Sequence, residues 1–209
     1  MINSVFPLYR EFNYYFKFYF AILVSNLSKV KSFFMSQHNR ITVVPANKKE
    51  DRQILFNLSQ FYQHDISSFF ELSIDHLPHL NGLYKALPYF DLYWQETERF
   101  PFLFLYSGKP IGFALVNTIG TSPDVNWNMA EFFIIKACRR KGFGRQTAKK
   151  IIEQFHGIWE IAVIPENSQA LCFWEKTIRS LFPHEIPKPI LKIIQKPKAR
   201  SMKIFKMKS

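Results

Sequence analysis

Residues 138–150 read CRRKGFGRQTAKK, which places six of the chain's Lys and Arg residues and two of its seven glycines in one short stretch without a single acid. Gly142 and Gly144 lack a Cβ, so an anion can come close to the backbone N–H groups around them. At the start of a helix such N–H groups have no intrahelical partner and point outward with the positive end of the helix dipole. That combination binds anions, and a phosphate is its natural guest. Arg139, Arg140, Lys141 and Arg145 would add attraction at longer range. A nucleoside triphosphate fits poorly, because Gly142 is followed by Phe-Gly-Arg-Gln-Thr instead of the lysine and hydroxyl that hold a triphosphate and its magnesium. A dinucleotide fingerprint needs a third glycine where Thr147 stands.

Other reactive side chains are less well grouped. His76 and His79 with Asp75 lack a third or fourth ligand at a regular spacing, so no metal is expected. Cys138 lies beside Arg139, but no histidine is placed by sequence to make it a nucleophile. The segment DLYWQE, residues 91–96, could receive a cationic substrate through Asp91, Tyr93 and Trp94. Burial of the two aromatic rings against a sheet is the competing reading of the same residues.

These groups need elements to hold them, and the chain supplies an alternating series. ITVVPA (41–46) reads as a strand, followed from Lys48 by a helix with Ile54, Leu55, Leu58 and Phe61 at helical spacing. FPFLFLYSGKPIGFALVNT reads as two strands joined at Ser-Gly-Lys-Pro. AEFFIIKA (130–137) is apolar on both faces and so belongs inside a sheet. Ala148, Ile151, Ile152 and Phe155 then mark an amphipathic helix, IWEIAVIP a strand, and Asn167 the cap of a helix burying Leu171, Trp174, Ile178 and Leu181. The tail holds two further strands, ILKII and MKIFKM, expected at sheet edges with solvated lysines.

Composition is that of a globular protein, 47% hydrophobic and 21% charged, with one main domain expected. The net charge of +12 is zoned. Residues 151–175 carry four acids and no Lys or Arg, whereas 176–209 carry ten bases and one acid. Two cysteines, Cys138 and Cys172, are too few for a disulfide framework and suit a reducing compartment, so a cytoplasmic setting is expected. The aromatic run YYFKFYFAILV (14–24) is too short to span a bilayer. Residues 1–34 are read as an extension, dispensable or preceding a start at Met35, with the working domain at 35–209. Contact of the extension with a membrane surface is left open, as is a homodimer.

The pattern Arg-x-x-Gly-x-Gly over 139–144, after a hydrophobic strand and before a helix, resembles the acetyl-CoA signature of the GNAT superfamily of N-acyltransferases. ENSQALCFWEK (166–176) is similar to the family's Asn-x-x-Ala-x-x-Phe-Tyr-Glu-Lys helix, and the two motifs together cover about residues 41–182. The resemblance implies an α+β fold of three layers, with a mixed, mostly antiparallel sheet splayed at the acetyl-CoA site and flanked by helices. It implies acetyl-CoA as co-substrate, held by N–H groups of residues 140–145 and by the strand around Ile134 and Ile135, with Asn167 and Trp174 contributing to its site. It implies an amine-bearing small molecule or peptide as acceptor, with Glu131 as the base and the N–H near Ile134 stabilising the oxyanion. One departure matters: where many members have a tyrosine able to protonate the leaving sulfur, this chain has Trp174, which cannot act as an acid. The alternative is a weak or inactive GNAT-fold protein whose basic tail meets nucleic acid or an anionic membrane; the glycines at the helix start argue against this, and nucleic acid is not expected as a partner.

Overall fold

A computed structural model describes residues 41–183, 189–194 and 200–209, so the expectations for residues 1–34 lie outside the described residues. The seven strands are β1 (Ile41–Pro45), β2 (Arg99–Tyr106), β3 (Lys109–Asn117), β4 (Trp127–Ile134), β5 (Ile158–Val163), β6 (Ile190–Ile194) and β7 (Arg200–Lys208). They form one sheet in the order β1-β2-β3-β4-β5-β7-β6. Every neighbouring pair is antiparallel except β4 with β5. The helices are α1 (Lys49–Ser67), α2 (Phe143–Ile152) and α3 (Ser168–Leu181), and the class is the α+β arrangement expected.

The period-two alternation of the strands sorts the apolar side chains into two cores, one on each face of the sheet. On one face Leu103, Phe113, Leu115 and Phe133 meet Leu55 and Leu58 of α1, together with Phe90 and Tyr93. On the other, Phe104, Ala114, Val116, Met129, Ile161 and Phe205 meet Ala148 and Ile151 of α2 and Leu171, Trp174 and Ile178 of α3. α1 is started by Asp51, whose Oδ2 accepts from the Lys48 backbone N–H at 3.1 Å. α3 starts as expected, Asn167 Oδ1 accepting from the Ala170 N–H at 2.9 Å.

Three details differ from the sequence reading. Phe61 is 60% exposed, and the inward stripe of α1 instead continues from Leu58 to Tyr62, four residues on. β4 begins and ends earlier than expected, and residues 136–138 form a single 3-10 turn. β7 is not an edge strand: it lies between β5 and β6 and buries Ile204, Phe205 and Met207. Its lysines fall between these positions, and Lys206 reaches outward to Asp124 and Ser122. β6 is the edge strand, with Ile190, Leu191 and Ile193 exposed.

Candidate active site

The sheet opens where its one parallel pair parts. β4 and β5 pair only from Trp127 to Met129 on one strand and Trp159 to Ile161 on the other. Beyond that point β5 stays with β7 to Val163, while β4 stays with β3 to Ile134. A bulge accompanies the parting: Val116 faces Met129 and Leu115 faces Glu131, so Ala130 is the extra residue on β4.

The register past the bulge determines which backbone groups line the gap. The Ile135 N–H donates to the Ile111 carbonyl at 2.9 Å, which makes Gly112–Ile134 a non-hydrogen-bonded pair of the β3–β4 ladder. The N–H of Ile134, and by alternation that of Phe132, therefore faces away from β3, toward the side that β5 has left. The Ile134 carbonyl accepts from Arg139 Nε at 2.6 Å, leaving the Ile134 N–H and both polar groups of Phe132 on the open side.

The basic loop follows directly. Arg140 and Gly142 both have left-handed backbones, with φ of 60° and 78°, and such alternation turns successive N–H groups to one side to form an anion-binding concavity. Among the described residues no backbone N–H from Arg140 to Arg145 has an acceptor; the first bond of α2 runs from the Gln146 N–H to the Gly142 carbonyl at 3.1 Å. The two glycines have different uses. Gly142 supplies the left-handed turn, with only Gln146 near the position a Cβ would take. At Gly144 a Cβ would lie 2.9 Å from Phe173 Cε2, so its smallness seats α2 against α3.

Arg139 differs from its neighbours in the motif. Its guanidinium holds Asp65 of α1 at 2.5 Å as well as the Ile134 carbonyl, and it lies over the Phe133 ring at 5.3 Å. It is committed to tying α1 to the end of β4, whereas Arg140, Lys141 and Arg145 are exposed. Arg139→Gln is accordingly expected to destabilise the fold by about 2 kcal/mol, since it takes the guanidinium donor from the Ile134 carbonyl and leaves the partly buried Asp65 carboxylate to the exposed Lys136 at 3.3 Å. Arg145→Gln should leave the denaturation midpoint in place and weaken only anion binding. Denaturant titration of both variants checks the contrast.

Glu131 is half-buried on the α1 face of β4. Loss of water pushes its carboxyl up to about 7, and the Tyr62 hydroxyl pulls the other way. The Tyr62 hydroxyl is held well above its ordinary value by burial and by the charge of Glu131. The Tyr93 hydroxyl is pushed up to about 12, chiefly by burial, while it accepts a hydrogen bond from Asn117 Nδ2 at 2.8 Å. Of the three residues considered for the acceptor, Tyr93 alone stands in this group. Asp91 pairs with Arg52 at 2.5 Å, and Trp94 donates from Nε1 to the Ala46 carbonyl at 2.8 Å.

Trp174 is buried with ring contacts to Phe132 at 5.2 Å and Phe173 at 4.9 Å, behind the stretch of β4 that lines the gap. The Asn167 side chain is occupied in capping α3. Tyr62, Asp65 and Asn117 were not picked out from the sequence. Tyr62 could have been found by following the α1 stripe from Leu58 by four residues; Asp65 and Asn117 carry no local signal. Among the described residues no group of three or more His, Cys, Asp and Glu side chains could hold a metal, and no helix is long and apolar enough to cross a membrane.

A model of the acetyltransferase (GNAT) family matches residues 59–178, more than half of the chain. No curated protein matches at a significant level. Solved structures with this fold include an acetyltransferase from Thermus thermophilus, at 12% identity and a TM-score of 0.56, covering 82% of this chain and 99% of that one. The ribosomal-protein-S18-alanine N-acetyltransferase of Escherichia coli aligns at 14% identity and a TM-score of 0.51, over 81% and 94%. yncA of Salmonella typhimurium, solved with its cofactor acetyl-CoA, aligns at 11% identity and a TM-score of 0.52, also over 81% and 94%. At these identities the likeness is one of fold, and the family match adds the chemistry. The chain belongs to the GNAT family and is an acyl-CoA-dependent acetyltransferase.

Proposed function

We propose that the chain is an N-acetyltransferase that moves the acetyl group of acetyl-CoA to a primary amine of a small molecule or peptide by direct attack. The observation that carries this reading is the placement of a poised carboxylate, Glu131, three residues before a free N–H, Ile134, on the one strand that parts from its neighbour. The N–H groups of residues 140–145 would hold the pyrophosphate, with Arg140, Lys141 and Arg145 around it. Pantetheine would lie along β4 as an added strand, pairing with the open polar groups of Phe132.

Glu131 takes a proton from the amine, directly or through water, as the nitrogen forms its bond to the thioester carbon. The Ile134 N–H stabilises the charge that develops on the carbonyl oxygen. The carbon–sulfur bond then breaks, the sulfur leaves as thiolate and takes a proton from solvent, and Glu131 returns its proton to solvent. Trp174 supplies no proton in this scheme and serves as the packed wall behind Phe132. The working unit is residues 35–209 in a cytoplasmic setting, which agrees with the free thiols of Cys138 and Cys172. The alternative of a basic tail acting alone is weakened by β7, which is built into the sheet.

The test is a panel of primary amines and short peptides incubated with the full chain and acetyl-CoA, with thiol release and acetylated product both followed. Peptides beginning with alanine belong in the panel because the Escherichia coli neighbour is a ribosomal-protein-S18-alanine N-acetyltransferase. The reading predicts product from at least one acceptor and its loss in Glu131→Gln. Acetyl-CoA binding without transfer to any amine would count against it.

A further inference from the structure

The parting of β4 from β5 leaves two banks, and the chain at the end of α1 is held by an arginine from each. On the β4 bank Arg139 binds Asp65 at 2.5 Å. On the other bank Arg200, the first residue of β7, donates from Nη2 to the Phe69 carbonyl at 3.2 Å and lies over the Phe70 ring at 4.1 Å. The same guanidinium stands 3.5 Å from Glu166, in the segment that leaves β5 beside β7. Residues 65–70 therefore join the two banks on the α1 side of the sheet, the side on which Glu131 lies.

The two ties differ in strength. Arg139 has a charged partner and the Ile134 carbonyl at 2.6 Å, both of them close. Arg200 has a neutral carbonyl, a ring and a looser pairing with Glu166, whose side chain is 62% exposed. The chain that follows has little packing to hold it. From Ser68 to Leu83 no residue is buried, and Leu72 and Ile74 stand in solvent. Phe70 anchors its first part, touching both Arg200 and the His76 ring at 4.3 Å. Gln60 and Gln63 of α1 take hold of the chain again at Tyr84 and Lys85. A segment with few buried contacts opens at low cost, and it opens where its tie is weakest.

We propose that Arg200 is a positioning residue for acceptor choice, latching residues 69–77 across the α1 side of the gap and so limiting the size of the amine that reaches Glu131. The proposal rests on the reading of Glu131 as the group that meets the amine. With the latch closed small amines pass, and bulky ones need Arg200 to release Phe69 and Phe70. The N–H groups of residues 140–145 make no contact with this latch, so acetyl-CoA binding does not depend on it.

The test measures access to position 131 in the full chain, with Glu131→Cys placed in a Cys138→Ser, Cys172→Ser background so that one thiol remains. Two thiol reagents are compared, methyl methanethiosulfonate and the much larger fluorescein maleimide. Arg200→Met is expected to speed labelling by the maleimide at least about tenfold and by the small reagent less than about twofold, as the loss of one charge-assisted bond would do. A merely structural Arg200 would lower the denaturation midpoint and leave the ratio of the two rates alone. An unchanged ratio in folded Arg200→Met overturns the proposal whether or not Glu131 is a base, because the labelling uses neither acetyl-CoA nor an amine. Phe70→Leu covers the case of poor folding: it takes the ring from the same contact and must shift the ratio in the same direction, and no shift has the same overturning force. In chains that keep Glu131, Arg200→Met should lower KM for the larger amines of the panel, with kcat and acetyl-CoA affinity unchanged. A ratio that shifts while the amine preference stays that of the parent overturns the proposal through the reading of Glu131, as does a parent that acetylates no amine.

Discussion

Glu131→Gln is expected to lower kcat for acetyl transfer by a factor of about 10² to 10⁴, the range over which a positioned base acts, while acetyl-CoA affinity stays within a factor of about two of the parent. Glutamine keeps the shape of the side chain and its place on β4, and the N–H groups assigned to the pyrophosphate lie beyond it on the Arg140–Arg145 loop. The pH dependence separates this loss from a general disturbance. Glu131 works only when ionised, so kcat/KM in the parent should rise with pH through a limb near 7, the value to which burial pushes the carboxyl. That limb should vanish in the variant. Stability responds in the opposite sense. A carboxyl raised in the folded state contributes stability that is full below its unfolded value and is lost as pH rises through the folded value. Between about pH 4.5 and about 7 the parent should therefore lose ground to Glu131→Gln, by up to about 3 kcal/mol. Denaturant titrations at several pH values measure that difference.

Gly144→Leu is expected to cost about 1 to 3 kcal/mol of stability and to weaken acetyl-CoA binding at least about tenfold, equivalent to roughly 1.4 kcal/mol. A Cβ there would lie 2.9 and 3.2 Å from two carbons of the Phe173 ring. That ring has little room to retreat, being stacked on Phe132 at 5.7 Å and set edge-on to Trp174 at 4.9 Å. The first turn of α2 must move instead, and with it the N–H groups that face the anion. Gly144→Ala, which meets only the ring edge, should show the same effects on a smaller scale. Equal affinity in folded Gly144→Leu and parent would mean that the first turn of α2 is not part of the binding surface.

The basic loop was legible because everything it needs is local: two glycines, a run of bases and the elements on either side lie within a few residues of one another. The same holds for the Asn167 cap, where side chain and recipient N–H are three residues apart. What escaped depended on distance or phase. Arg139 looks like any base of the loop until Asp65, 74 residues earlier, is brought beside it. Phe61 and Tyr62 differ by one position on α1, and the more apolar residue was taken for the inward one although the helix turns the tyrosine in. β7 was read as an edge because its lysines suggested solvent, yet pairing with both β5 and β6 puts its apolar positions in the core. The two open N–H groups on β4 follow from a bulge and a parallel partner that leaves early, and neither has a signature in one strand alone.

Calorimetric titration of the full chain with acetyl-CoA, beside folded Gly142→Val, tests the central claim most directly. Valine has room at this position, but a branched side chain is strained at a φ of 78°, so the substitution should disturb the loop and little else. The account predicts saturable binding in the micromolar range by the parent and at least about tenfold weaker binding by the variant, a difference of roughly 1.4 kcal/mol. A folded parent that takes up no acetyl-CoA, or a variant that binds it as tightly as the parent, would contradict the placing of the acyl donor on this loop.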